Sequence, residues 1–232
     1  MVIKFILLIL GAYLLGSVPA AYLIAKWLRG IDLRQYGSGS VGAANVVTMA
    51  SKRWSIPVII FDLGKGMVMV WVAQLLGLGI AQQVTVGLAA IVGHNWPVFL
   101  RFSGGRGILT ALGVVTILVP WLAPVVLIIA FGLAPIRQLA LGVFLAILCL
   151  PIASWFFSQP LNIKEPLPVT LGFLAILLIL IIRRLTVPRA DIAASVSYQQ
   201  LFLNRLLFDR DIRDRKAWIH RRPAQQEKRG KG

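Results

Sequence analysis

Apolar residues in this chain come in long runs rather than alternating singly with polar ones. The runs cover residues 2–27, 54–78, 84–100, 108–134, 139–157 and 167–182. A helix crossing a bilayer needs ~20 mostly apolar residues, and most of these runs approach or exceed that length. The pattern predicts one all-α, polytopic, integral membrane bundle. Pro120 and Pro124 inside the fourth run could divide it into two short helices, and residues 30–52 could instead re-enter the membrane. Both arrangements stay open here. The first run has only Lys4 before it and no clear small-x-small cleavage site, so it reads as a retained helix and not a signal peptide.

Composition agrees with the runs. Hydrophobic residues make up 58% of the 232-residue chain and charged residues 14%, against ~25% charged in ordinary soluble domains. Mean hydropathy is +0.83. The net charge of +16 is placed unevenly. Lys26, Arg29 and Arg34 follow the first run, Lys52 and Arg53 precede the second, and Arg101 and Arg106 follow the third. By the positive-inside rule these loops face the cytoplasm. The N-terminus is then outside and the C-terminus inside, which requires an odd number of crossings. The division expected is a transmembrane domain over 1–182 and a basic cytoplasmic tail over 183–232. Beside a membrane, such a tail points to anionic lipid headgroups and not to nucleic acid. Cys149 stands alone in an apolar run and reads as packing.

The segment YGSGSVGAAN contains Gly37, Gly39 and Gly42, a G-x-G-x-x-G pattern, with Asp62 twenty positions beyond Gly42. A dinucleotide loop with that pattern must leave a β-strand and open a helix of a βαβ unit. Here a short charged stretch precedes the glycines, and Asp62 falls within a span-length apolar run, so the dinucleotide reading fails. SGGRGIL lacks the spacing of a P-loop as well. What survives is a turn able to aim several backbone N–H groups at an anion, with Ser38, Ser40 and Asn45 adding polar groups. The competing reading is a tight turn that lets helices pack closely.

A second such turn shifts the balance toward a ligand. Ser103, Gly104, Gly105, Arg106 and Gly107 link the third and fourth runs, with Thr110 about one helical turn beyond Arg106. A guanidinium offers a planar fork that matches phosphate oxygens. Two donor-rich turns and a cation at one membrane edge predict a site for a phosphorylated ligand. Asp62 and Lys65, three apart in FDLGKG, share a helical face. They read either as a mutually neutralising pair or as a brace, Asp62, beside a ligand-binding cation, Lys65. His94 can brace its own loop. It has no neighbouring His, Cys or Asp set in the sequence, so no metal site is expected.

Together these segments resemble the bacterial acyl-phosphate:glycerol-3-phosphate acyltransferases of the PlsY type. The likeness runs through GSVPAAYLIAKWLRGIDLRQYGSGSVGAANV at 16–46, FDLGKG at 61–66 and GHNWPVFLRFSGGRGILTALG at 93–113. It implies about seven helices with cytoplasmic glycine-rich loops in a bacterial inner membrane. It also implies transfer of a fatty acyl group from acyl phosphate to glycerol 3-phosphate, giving lysophosphatidic acid and phosphate without cofactor or metal. Ser38, Asn45 and Arg106 would be the catalytic set. Gly37, Gly39, Ser40, Gly42, Lys65, His94, Gly104 and Gly105 would line the substrates, with Asp62 as support. Membrane lipids would be the surroundings and the oligomeric state is left open.

The chain departs from the family pattern at several places. Arg106 stands where the family usually has Lys, and Ser40 where it has the Asn of an SGN triplet. Ala44 replaces Thr, and Thr48 occupies the place of an Arg, with Lys52 and Arg53 nearby. The Ser-containing segment has its counterpart in residues 136–144, with Ala140 and Val143 instead. The C-terminal His and Asn have no counterparts near Arg183–Arg184 or Arg205–Leu206, and His220 lies in an unmatched tail. Two further readings follow. One is a non-catalytic relative that binds acyl phosphate or phospholipid or partners an active enzyme. The other is a transporter of phosphorylated solutes, which would line several helices with ionisable groups instead of gathering them at one edge.

Overall fold

The computed structural model describes residues 2–219, which form α-helices and short 3-10 turns without a β-strand. The first apolar run is not one helix. It forms α1 (Val2–Ser17) and α2 (Ala20–Arg29), because Pro19 lacks an N–H and disfavours helical backbone at Val18. The first glycine-rich turn then leads into short α3 (Ala43–Met49) and long α4 (Ser55–Leu75). The third run ends earlier than expected. Helix α5 spans Ile80–Asn95, and Pro97 turns the chain into a 3-10 segment at Val98–Leu100. The fourth run divides at Pro120, giving α6 (Ile108–Leu118) and α7 (Leu122–Gly132). Next come α8 (Leu139–Phe156), α9 (Pro166–Leu185), α10 (Tyr198–Phe208) and α11 (Arg215–Ile219).

The helix count therefore exceeds the expected seven. Proline divides two apolar runs, and α3, α10 and α11 form outside them. Among the described residues, four helical stretches are long and apolar enough to cross a membrane: residues 2–29 taken together, α4, α8 and α9. Helices α6 and α7 are shorter apolar segments. The chain is a multi-pass membrane protein.

Small residues set the packing. Helix α1 lies on α5 and α4 on α6. A side chain at Gly16 or Gly93 would strike the backbone of the facing helix, as would one at Gly66 or Gly113. Such close approach gains van der Waals contact where lipid offers no hydrophobic driving force. The main core gathers Ile91, Val114, Val115, Phe173 and Ile176. A second core of Leu33, Val46 and Val58 with Ala21 and Ala25 lies beside the first glycine turn. Burying each of its larger side chains contributes about 2 kcal/mol, which anchors that turn.

The segment after residue 183 is folded as far as Ile219. Arg183 and Arg184 belong to the last turn of α9, and α10 packs on α8 and α9. Arg184 donates to the Leu206 carbonyl at 2.6 Å, and Arg205 donates to the Leu185 carbonyl at 2.7 Å. Arg205 also meets Asp211 at 2.7 Å, whose other oxygen accepts from the Ala190 N–H at 2.8 Å. The rest of the expected tail, residues 220–232 with His220, lies outside the described residues.

Candidate functional site

Residues 37–42 are organised from within. Gly37 and Gly39 have φ of 55° and 70°, a region that costs residues with a Cβ. Asn45, buried on α3, holds them. Its Oδ1 accepts from the Ser38 N–H at 3.2 Å. Its amide nitrogen lies 3.2, 3.0 and 3.1 Å from the carbonyls of Leu33, Tyr36 and Ser40. A Cβ on Gly37 would collide with the Asn45 amide oxygen. The expected catalytic amide of Asn45 is thus fully engaged with its own loop. Ser38 Oγ accepts from the Ser40 N–H at 3.4 Å and stays partly exposed. Gly42 is extended and precedes the first turn of α3.

The turn at 103–107 is organised from outside. Gly105 N–H donates to the His94 carbonyl at 3.1 Å. The Gly105 and Gly104 carbonyls accept from Arg183 Nε and Nη2 at 2.9 and 2.8 Å. Both glycines are required sterically, because a side chain on Gly104 would meet the His94 carbonyl and Pro97. One on Gly105 would meet the His94 ring and the Val41 carbonyl. Val41 belongs to the first loop, so the two loops meet at Gly105.

Next to that junction lies a buried ion pair, Asp62 with Lys65, joined by His94. Lys65 Nζ is 2.9 Å from Asp62 Oδ1, 2.8 Å from His94 Nδ1 and 3.0 Å from the Gly16 carbonyl. His94 Nδ1 is 3.4 Å from Asp62 Oδ1. An ammonium has three donors, and three acceptors surround this one. Lys65 donating to Nδ1 leaves the neutral ring's proton on Nε2, the atom that faces Gly105. The pair read from the i,i+3 spacing is present, with His94 as its third member. A small cleft beside the trio is lined by Gly16, Pro19, Val41, Asp62, His94 and Gly104, so it touches both loops.

Arg106 is placed differently from the other expected site residues. Its Nε lies 2.7 Å from Asp209 Oδ1, a charge contact without hydrogen-bond alignment. Its Nη1 donates to the Arg183 carbonyl at 3.3 Å. The sequence assigns neither Arg183 nor Asp209 to the site. Lys52 and Arg53 are exposed between α3 and α4, and Arg101 is exposed just before the second turn. No group of three His, Cys, Asp or Glu side chains is placed to hold a metal among the described residues.

Known proteins are similar to this chain in sequence and in fold. A family model described as glycerol-3-phosphate acyltransferase matches residues 6–190. The protein named glycerol-3-phosphate acyltransferase 5 from Dehalococcoides mccartyi is 48% identical over 229 residues, 98% of this chain and 97% of that protein. Glycerol-3-phosphate acyltransferase 4 from another strain of that species is 46% identical over 220 residues, 95% of each. The fold matches a crystal structure of PlsY (YgiH), an integral membrane glycerol 3-phosphate acyltransferase, in its glycerol 3-phosphate form. The TM-score is 0.69 at 33% identity, over 78% of this chain and 88% of that one. With a matching family model across most of its length and near-full-length relatives at almost half identity, the chain belongs to the glycerol-3-phosphate acyltransferase family.

Proposed function

We propose that this protein transfers a fatty acyl group from acyl phosphate to the 1-hydroxyl of glycerol 3-phosphate in phospholipid synthesis. The observation that carries the reading is the meeting of two glycine-rich loops at Gly105, over a cleft that both line, in a chain of this family. The glycerol oxygen bonds to the acyl carbon while the bond from that carbon to the phosphate oxygen breaks. The hydroxyl proton leaves with the departing phosphate as hydrogen phosphate, so atoms and charge balance without a cofactor. Such a reaction needs positioning and charge stabilisation more than a covalent intermediate.

Within this reading, Ser38 and Arg106 face substrate, while Asn45 shapes the first loop and Asp62 and Lys65 support His94. Basic residues flanking the loops support a site on the cytoplasmic side of the membrane, with the N-terminus outside. The acyl chain lies among the apolar helices.

The test is phosphate release from palmitoyl phosphate by the full chain in detergent, with and without glycerol 3-phosphate. Release that requires glycerol 3-phosphate and equals lysophosphatidic acid formed is expected. No turnover by folded protein, beside an active family member, overturns the enzyme reading and favours a non-catalytic binding relative.

A further inference from the structure

Arg106 is the loop cation best suited to a phosphate, yet a carboxylate already sits on it. Arginine takes an oxyanion side-on through Nε and Nη2, or end-on through its two terminal nitrogens. Asp209 lies on Nε at 2.7 Å, and the Arg183 carbonyl accepts from Nη1 at 3.3 Å. Both edges are partly taken. Asp209 comes from the segment beyond residue 190, where the family model stops. It follows α10 with φ of 54°, and its N–H donates to the Arg205 carbonyl at 3.1 Å. The backbone around it is well anchored, through Arg184 to Leu206, Arg205 to Leu185 and Asp211 to Ala190. The carboxylate is held by charge contact without hydrogen-bond alignment. Its Oδ1 has no hydrogen bond, and the Arg106 and Asp209 side chains are 12% and 19% exposed. The segment is tied down by hydrogen bonds, and the carboxylate is held through its ion pair with Arg106.

We propose that Asp209 is a specificity-determining residue, an internal carboxylate that a substrate phosphate must displace from Arg106. The proposal rests on the assignment of Arg106 to phosphate above. A doubly charged phosphate outcompetes a single carboxylate for the guanidinium and for the adjacent charges of Arg183 and Arg184, which both feel Asp209. A neutral or singly charged ligand does not. Asp209 thereby sets a threshold of charge for occupancy of the second loop.

The test uses the full chain in detergent, with KM for glycerol 3-phosphate and inhibition by inorganic phosphate as readouts. Asp209→Asn removes the charge and suits the left-handed backbone, which asparagine tolerates. Both constants are expected to fall about fivefold with kcat kept, the scale of a partly exposed ion pair. Arg106→Gln is expected to raise both, and adding Asp209→Asn to it to change nothing further. Raised or unchanged constants in Asp209→Asn, with Arg106→Gln impaired, overturn the proposal and leave Arg106 in the site. No effect of Arg106→Gln removes Arg106 from the site and the proposal with it. Should Asp209→Asn not fold, Asp209→Ser is measured in its place, and failure of both to fold makes Asp209 structural and overturns the proposal.

Discussion

The two glycine-rich loops are built from the same residue types and held in opposite ways. Residues 37–42 are held by Asn45, a neutral amide a few positions along the same strand of chain. Residues 103–107 are held by Arg183, a cation from the end of α9, through the Gly104 and Gly105 carbonyls. A local brace forms with its loop and costs little chain entropy. A remote brace forms only when α9 has packed against the loop, so it couples the site to the whole bundle. The first loop is therefore a stability element in its own right, and the second reports on the fold around it.

The largest expected effect breaks the local brace. Asn45→Ala removes the acceptor for the Ser38 N–H and the two N–H donors shared among the Leu33, Tyr36 and Ser40 carbonyls. The loss of stability is expected to be about 3 kcal/mol. Acyl transfer is expected to fall about a hundredfold as the loop loses its geometry. Thermal unfolding and the palmitoyl phosphate assay measure the two separately. A folded, active variant would show that Gly37 and Gly39 hold the turn without Asn45.

A smaller effect comes from the remote brace. Arg183→Lys keeps the charge and removes the fork that reaches both carbonyls. Activity is expected to fall about tenfold, equivalent to one charge-assisted hydrogen bond of roughly 1.4 kcal/mol. Unfolding is expected to move less than in Asn45→Ala. Activity equal to the parent would mean that charge near Gly104 suffices and that the planar geometry is incidental.

This contrast also separates what the chain announces from what it conceals. Apolar runs disclose spans, and Pro19 and Pro120 mark where runs break, Pro19 the less legibly because it interrupts a run of unbroken apolar character. The first loop is legible because its glycines and Asn45 lie within one short segment. The i,i+3 spacing gives Asp62 with Lys65, but nothing local ties Lys65 to His94, since α4 and α5 must pack first. Arg183 looks like the start of a basic tail because helix ends beside a membrane are commonly basic. Its role depends on a contact 78 residues away in sequence. Asp209 gives no local signal at all, because its contact with Arg106 forms only when the segment after α10 meets the second loop.

The smallest expected effect lies where the chain enters the first loop. Asp32 accepts from the Arg34 N–H at 3.0 Å and pairs with its guanidinium at 2.6 Å. The Arg34 hydrogen bond holds the Asp32 carboxyl below its ordinary range, against the opposing pull of burial. A group whose folded pKa is depressed contributes stability above its unfolded pKa, about 3.9, and loses it as pH falls through the folded value. Asp32→Asn keeps the capping oxygen and removes only the charge. At neutral pH the expected cost is about 0.5 kcal/mol, because both side chains are partly exposed. The difference between parent and variant should stay constant from about pH 5 to 8 and vanish in acid below the folded pKa. Unfolding curves across that range measure it. A cost well above 1 kcal/mol at pH 7 would mean that the first loop also depends on charge. The division between a neutral local brace and a charged remote one would then fail at the loop's entrance, leaving Asn45 as one of two local supports.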